Sequence, residues 1–182
     1  MFPVLVSLEG RPCLVVGGGS VALRKTGGLL DEGARVLVVA EEPCEELRAL
    51  AREGRLELEA RRYRRGEVSG YALVFAATDD REVNRAVYED AEAAGIWANV
   101  ADDPPLCRFH LPARIRRGPL ELAIATGGRA PFVSRRLRER LEQRIGPRWS
   151  AWMETAAEFR DEVREAGLTP EQEDAAFDRF VE

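Results

Sequence analysis

Residues Cys13 to Lys25 read CLVVGGGSVALRK, and this stretch decides the fold. Cys13 to Val16 is a short apolar run, Gly17-Gly18-Gly19 stops it, and Ser20, Val21, Ala22 and Leu23 resume at helical spacing. The reading is strand, tight turn, helix. Gly17, Gly19 and Ala22 fill a G-x-G-x-x-A pattern: the first glycine makes the turn, the second lets a pyrophosphate approach the backbone, and the small third residue allows close packing of helix on strand. The free N–H groups and positive dipole end of the new helix then face the phosphates. A glycine-rich turn without a ligand is the competing reading, and a second half-unit further along argues against it.

Outward from the turn, the helix is predicted from Ser20 to about Glu32, ending at Gly33, with Gly27-Gly28 inside it as an oddity that only close packing would account for. Arg35 to Ala40 is a buried parallel-type strand. Glu41 and Glu42 follow where a dinucleotide-binding half places an acid on the adenosine ribose, and a carboxylate there repels a 2′-phosphate, so NAD is favoured over NADP. Glu45 to Arg52 reads as a helix closed by Gly54, and Leu56 to Ala60 alternates as a strand with one wet face. That completes one βαβαβ half. After the basic loop Arg61 to Gly66, Tyr71 to Ala77 is a continuous apolar strand, Thr78-Asp79-Asp80 caps a helix to Ala94, Gly95 ends it, and Ile96 to Val100 is a further strand. Thr78 and Asp79 lie at the carboxyl edge of the sheet, so they are cofactor-site candidates as well as caps. The fold class is α/β, a Rossmann-like doubly wound parallel sheet.

Beyond Val100 the organisation changes. Phe109 to Arg116 and Leu120 to Thr126 read as an antiparallel hairpin joined at Arg117-Gly118-Pro119. Thr126-Gly127-Gly128 is a second glycine turn, and Pro131 opens a helix ending near Gly146. In that helix Phe132, Val133, Leu137, Leu141 and Ile145 recur at three or four residues, opposed by Arg135, Arg136, Arg138 and Arg140. A hairpin and one helix are too little to bury such a face, which points to a second copy. Two more helices break at Gly167, the second opened by the capping box Thr169-Pro170-Glu171-Gln172. The expected regions are a dinucleotide-binding domain over 1–112, an α+β dimerisation region over 113–146 and a helical C-terminal part over 147–182.

Composition bounds the function. The 182 residues are 45% apolar and 32% charged, a globular balance. No apolar run is long enough to span a membrane, and Met1-Phe2-Pro3 leads into Val4-Leu5-Val6 without a basic leader, so the cytoplasm is the expected compartment. Cys13, Cys44 and Cys107 are widely spaced, which indicates neither a disulfide framework nor a zinc cage, and Cys13 reads as a small buried hydrophobe. Arg108 to Arg148 carries a local balance of +8, and Trp149 to Glu182 one of −7. The basic segment suits a polyanion or an acidic partner; the acidic tail beside it makes nucleic acid the weakest of these.

Three further places bear on chemistry. Asn99-Val100-Ala101-Asp102-Asp103-Pro104 lies just past a strand at the ligand edge, where a partly desolvated carboxylate can act as a general base; Asp-Asp-Pro is also ordinary turn chemistry. His110, the only histidine, reads as a structural residue in a strand-like run beside Phe109, with no metal-ligand spacing around it. Thr126 either lines an anion site ahead of the helix or satisfies the backbone of its own loop.

Together these residues carry a resemblance. Gly17-Gly18-Gly19-Ser20-Val21-Ala22 with Arg24-Lys25, Ala76-Ala77-Thr78-Asp79-Asp80 with Asn84, Asn99-Val100-Ala101-Asp102-Asp103-Pro104, and then Cys107, Phe109, Pro112, Arg117-Gly118, Thr126-Gly127-Gly128 and Pro131 are similar to the precorrin-2 dehydrogenase family of siroheme synthesis. The resemblance runs to about Arg144. It implies an NAD-dependent oxidation of precorrin-2 to sirohydrochlorin, insertion of ferrous iron as a second activity of some members, and an intertwined homodimer. Carried over, the catalytic aspartate falls on Asp102, with Asp103 its neighbour. The cofactor contacts fall on Ser20, Val21, Glu41 and Glu42, and Thr126-Gly127-Gly128 fall near the tetrapyrrole. Arg108, His110 and Ala125 depart from the family pattern, which bears on substrate detail and chelation. The surplus arginines fit a polycarboxylate substrate, and iron, with no ligand cluster in the sequence, is expected as a substrate. The methyltransferase module of some members is not expected in a chain of this length. A nucleotide-sensing Rossmann module without catalysis is the alternative class.

Overall fold

The structure, a computed structural model, describes residues 2–181, so Met1 and Glu182, the outer limits of the first and last expected regions, lie outside the described residues. The chain divides between His110 and Leu111 into two compact units.

The first unit holds five parallel strands, β1 (Pro12–Val16), β2 (Arg35–Val39), β3 (Glu57–Glu59), β4 (Leu73–Ala76) and β5 (Trp97–Val100), in the order β3-β2-β1-β4-β5. Helices α1 (Ser20–Leu30), α2 (Glu45–Arg52) and α3 (Arg81–Ala94) make the crossovers. Alternate side chains leave a strand on opposite faces, and both faces here are covered. Cys13 and Val15 join Val36, Val38 and Phe75 in the layer that receives Ala22 and Leu29 of α1 and Leu47 of α2. Leu14 and Val16 join Val39, Val74 and Ala76 in the layer that receives Val87 of α3. This is why the strands read as unbroken apolar runs. Cys13 is completely buried, and that burial pushes its thiol above the usual range. The chain winds outward from β1 through β2 to β3, then crosses to β4 on the other side of β1. The carboxyl ends of β1 and β4 are therefore neighbours, with Val16 paired to Ala76, at the point where the strand order reverses.

The expected elements of this unit are present, with their ends within two residues of those expected. Gly95, at φ +68°, terminates α3. Gly27 and Gly28 have nothing within 4 Å of where a Cβ would stand, so close packing does not account for them and nothing else in the structure explains them.

The second unit opens with the hairpin of β6 (Ala113–Arg117) and β7 (Leu120–Ile124). Its first strand begins later than the sequence suggests: Phe109, His110 and Leu111 are irregular. Phe109 turns back edge-on to Phe75 with ring centroids 5.3 Å apart, and Pro112 has no N–H for a ladder. Helix α4 (Pro131–Arg144) follows, then α5 (Arg148–Glu165) and α6 (Pro170–Val181). The α6 capping box is formed, Thr169 N–H donating to Gln172 Oε1 at 3.0 Å and Gln172 N–H to Thr169 Oγ1 at 3.4 Å. Trp152 and Phe159 on α5 meet Phe180 on α6. On α4 the apolar stripe is not buried: Phe132 is 64% and Leu137 42% exposed, and the residue turned fully inward is Ser134. Among the described residues no helix is long and apolar enough to cross a membrane.

Candidate functional site

The glycine turn sits at the carboxyl ends of β1 and β4. Gly17 adopts φ +132°, and a Cβ there would overlap the Ala77 carbonyl. Gly18 is held as tightly on its other side, where a Cβ would stand 2.8 Å from Pro43 Cα and against the Glu42 carbonyl. Gly19, by contrast, faces open space. The two inner glycines thus let three backbone segments meet, and the third leaves room for something to approach. Gly18 is a residue the G-x-G pattern passes over as x; its signal is contact with the segment after β2, which no local spacing contains. Gly19 begins α1 with no side-chain cap, so the first N–H groups of the helix have no side-chain partner there. Ser20 is exposed and Val21 half-buried, while Ala22 is completely buried and packs the helix on the sheet.

Glu41 and Glu42 are exposed directly after β2. Arg62 reaches Glu41, Nε to Oε2 2.8 Å, and this pairing holds the guanidinium above its usual range. Thr78 and Asp79 part company. Thr78 N–H donates to Asn84 Oδ1 at 3.2 Å and Asn84 Nδ2 donates back to the Thr78 carbonyl at 2.9 Å, so an amide from inside α3 holds the turn after β4. The α3 cap is Asp80, whose Oδ1 accepts from Glu82 N–H (2.8 Å) and Val83 N–H (3.3 Å). Asp79 is exposed and takes no part in that cap.

After β5 the chain makes a tight excursion closed by four bonds. Ala101 N–H donates to the Ala76 carbonyl at 2.8 Å and Arg108 N–H to Ala98 at 2.9 Å. Asn99 Nδ2 donates to the Phe109 carbonyl at 2.9 Å, and Cys107 Sγ lies 3.1 Å from the Val100 carbonyl. At the apex stands Asp102 with φ +58°, the one non-glycine residue with positive φ among the described residues. Such a conformation is uncommon and costs on the order of 1 kcal/mol or more, which the closed loop sustains. Asp102 is exposed, so the partial desolvation expected of it is absent from this chain alone. Asp103 is half-buried, and its carbonyl accepts from Leu106 N–H and lies 3.3 Å from Cys107 Sγ. The two neighbouring carboxylates are therefore not equivalent.

In the second unit, Thr126 Oγ1 accepts from Ala130 N–H at 3.3 Å, so its hydroxyl oxygen serves its own loop. Gly127 and Gly128 both have positive φ, a reversal other residues rarely adopt, just ahead of α4. No cluster of three or more His, Cys, Asp or Glu able to hold a metal occurs among the described residues.

Comparison with known proteins adds the following. Residues 4–113 match a family described as "Putative NAD(P)-binding". The chain is 43% identical over 162 residues to a siroheme synthase of Actinobacillus pleuropneumoniae, covering 89% of this chain and 33% of that one. It is 41% identical over 180 residues to the siroheme synthase of Methylococcus capsulatus (99% and 38%), and 47% identical over 163 residues to that of Chromobacterium violaceum (90% and 35%). The chain thus spans about a third of the length of these relatives. Among solved structures it superposes on SirC, a precorrin-2 dehydrogenase, with a TM-score of 0.83 and 26% identity, covering all of this chain and 90% of that one.

Proposed function

The chain belongs to the NAD(P)-binding family that its residues 4–113 match, and from that premise we propose that it oxidises precorrin-2 to sirohydrochlorin with NAD as hydride acceptor. The observation that carries the reading is the Asp102 loop: a carboxylate held at positive φ on the ligand edge of a dinucleotide-type sheet, in a chain that superposes over its whole length on a precorrin-2 dehydrogenase.

The residues at the glycine turn fit a dinucleotide. Gly19 faces open space, the start of α1 has no side-chain cap, and Glu41 and Glu42 stand at the end of β2. In this reading Gly17 makes the turn, Gly19, Ser20 and Val21 receive the pyrophosphate, and Ala22 keeps α1 against the sheet. Glu41 and Glu42 receive the adenosine ribose, and Thr78 and Asp79 border the nicotinamide half. NAD, when bound, accepts a hydride from the tetrapyrrole. Asp102 takes the proton released with it, so the oxidation balances as substrate and NAD giving product, NADH and a proton. The surplus arginines of the second unit offer charge to the substrate carboxylates, and Thr126-Gly127-Gly128 border its site.

The assignment of regions follows: 1–112 binds NAD, 113–146 dimerises and 147–182 forms the helical part, in a cytoplasmic homodimer. The exposed Phe132 and Leu137 support the dimer. The test is anaerobic turnover of precorrin-2 by the purified chain with NAD, following NADH and the tetrapyrrole spectrum. NADH formed with sirohydrochlorin, and lost in Asp102→Asn but not in Asp103→Asn, is the expected result. NAD binding without NADH identifies a sensing module instead. Ferrous iron added to the same assay, as substrate, reports whether siroheme forms faster than without enzyme.

A further inference from the structure

The chain has one lysine among twenty-six arginines. A composition so strongly biased toward arginine puts a lysine at a single position, Lys25 on α1, and that position is half-buried beneath the ligand edge. Its Nζ donates to Asn99 Oδ1 at 3.2 Å and stands 5.6 Å from the centroid of the Phe75 ring. Asn99 makes one of the four bonds that close the Asp102 loop.

We propose that Lys25 is a positioning residue for Asp102: it fixes the orientation of the Asn99 amide that helps tie down the loop. The proposal rests on the reading of Asp102 as the base.

The orienting role follows from donor and acceptor counts. An ammonium only donates, so Asn99 must present its oxygen to Lys25. Its amide nitrogen is then directed to the Phe109 carbonyl at 2.9 Å and Cys107 Sγ at 3.5 Å. Cys107 in turn lies within 3.3 Å of the Val100 and Asp103 carbonyls, on either side of Asp102. A flipped Asn99 would set an oxygen against the Phe109 carbonyl and release the returning arm.

The half-buried setting also acts on the Lys25 charge itself. A half-buried charge is less screened than a surface pair. Desolvation pushes the Lys25 ammonium below its usual range, Arg24 pushes the same way, and Cys107 and Asp102 oppose them. These are the titratable groups acting on it from α1 and from the loop. β4 contributes the Phe75 ring and β5 the Asn99 amide, neither of which titrates, and Asp103 acts on Cys107.

A single lysine allows a direct test in the full chain. Lysine labelled with ¹³C at Cε gives one side-chain resonance whose pH titration belongs to Lys25 alone. We expect a midpoint below that of free lysine, because the ammonium is half-buried. A midpoint at or above that of free lysine overturns the placement of Lys25 against Asn99 and Phe75. In turnover, Lys25→Met is expected to keep NAD affinity within about twofold while kcat falls by about 100-fold, the scale of a misplaced reacting group. A rise in the KM for NAD that matches the fall in kcat indicates a merely structural effect and overturns the proposal. Lys25→Arg keeps a donor toward Asn99 and should recover part of kcat; no recovery overturns the orienting role. If the wild-type chain forms no NADH, the functional reading fails and the resonance alone decides; the same resonance decides if Lys25→Met does not fold.

Discussion

The two units of this chain bury apolar surface very differently. Of the buried apolar side chains among the described residues, all but Ile115 and Val163 lie in the first unit, where a five-stranded sheet is sandwiched between helices. The second unit, 72 residues long, leaves Phe132 and Leu137 in solvent and turns Ser134 inward. A doubly covered sheet closes its own core because every strand has two apolar faces and both meet helices. A two-stranded hairpin has one face to offer and is marginal without a further layer. The first unit thus closes its own apolar core, while the second leaves large apolar side chains in solvent.

Several substitutions break or sharpen that contrast. The largest effect is expected in the first unit's loop, where Asp102→Asn should lower turnover by about 10²–10⁴-fold with the thermal midpoint unmoved, checked by NADH formation and calorimetry. A fall in stability instead would make the loop part of the folding core. Next, Phe75→Ala removes a side chain 2% exposed at the centre of the sheet, and should cost about 3–5 kcal/mol in urea unfolding. Exchanging Phe132 and Leu137 together for glutamate should leave that stability intact and weaken self-association by about 100-fold in sedimentation, the scale of a lost interface hot spot. A chain that is monomeric before the exchange would show that the second unit stands uncovered. Gly18→Ala forces a methyl into the Glu42-Pro43 backbone and should cost about 1–3 kcal/mol, with NAD affinity falling as the turn shifts. The smallest effect has the opposite sign. Gly27→Ala has open space and helical backbone, and should raise stability by about 0.5–1 kcal/mol, unless the glycine pair has a role that activity reveals.

The parallel sheet, its crossover helices, the hairpin and the α6 capping box were all legible in the residues, because each rests on short-range physics. Apolar runs of four to six residues, glycine stops and cap residues act over one or two turns of chain, and they agree with the strand order found. Gly17, Asp102 and Thr78 could be singled out for the same reason, since the carboxyl ends of predicted strands are where such folds gather ligands. What local pattern did not carry was every relation between distant segments. Gly18 owes its identity to the backbone of Glu42 and Pro43. Lys25 reaches Asn99 across 74 residues of sequence, and Phe109 leaves its strand-like context to pack on Phe75. Spacing encodes which face of an element is apolar; which side chains then meet, and which amide must turn its oxygen toward a cation, depends on where two elements come to rest against each other.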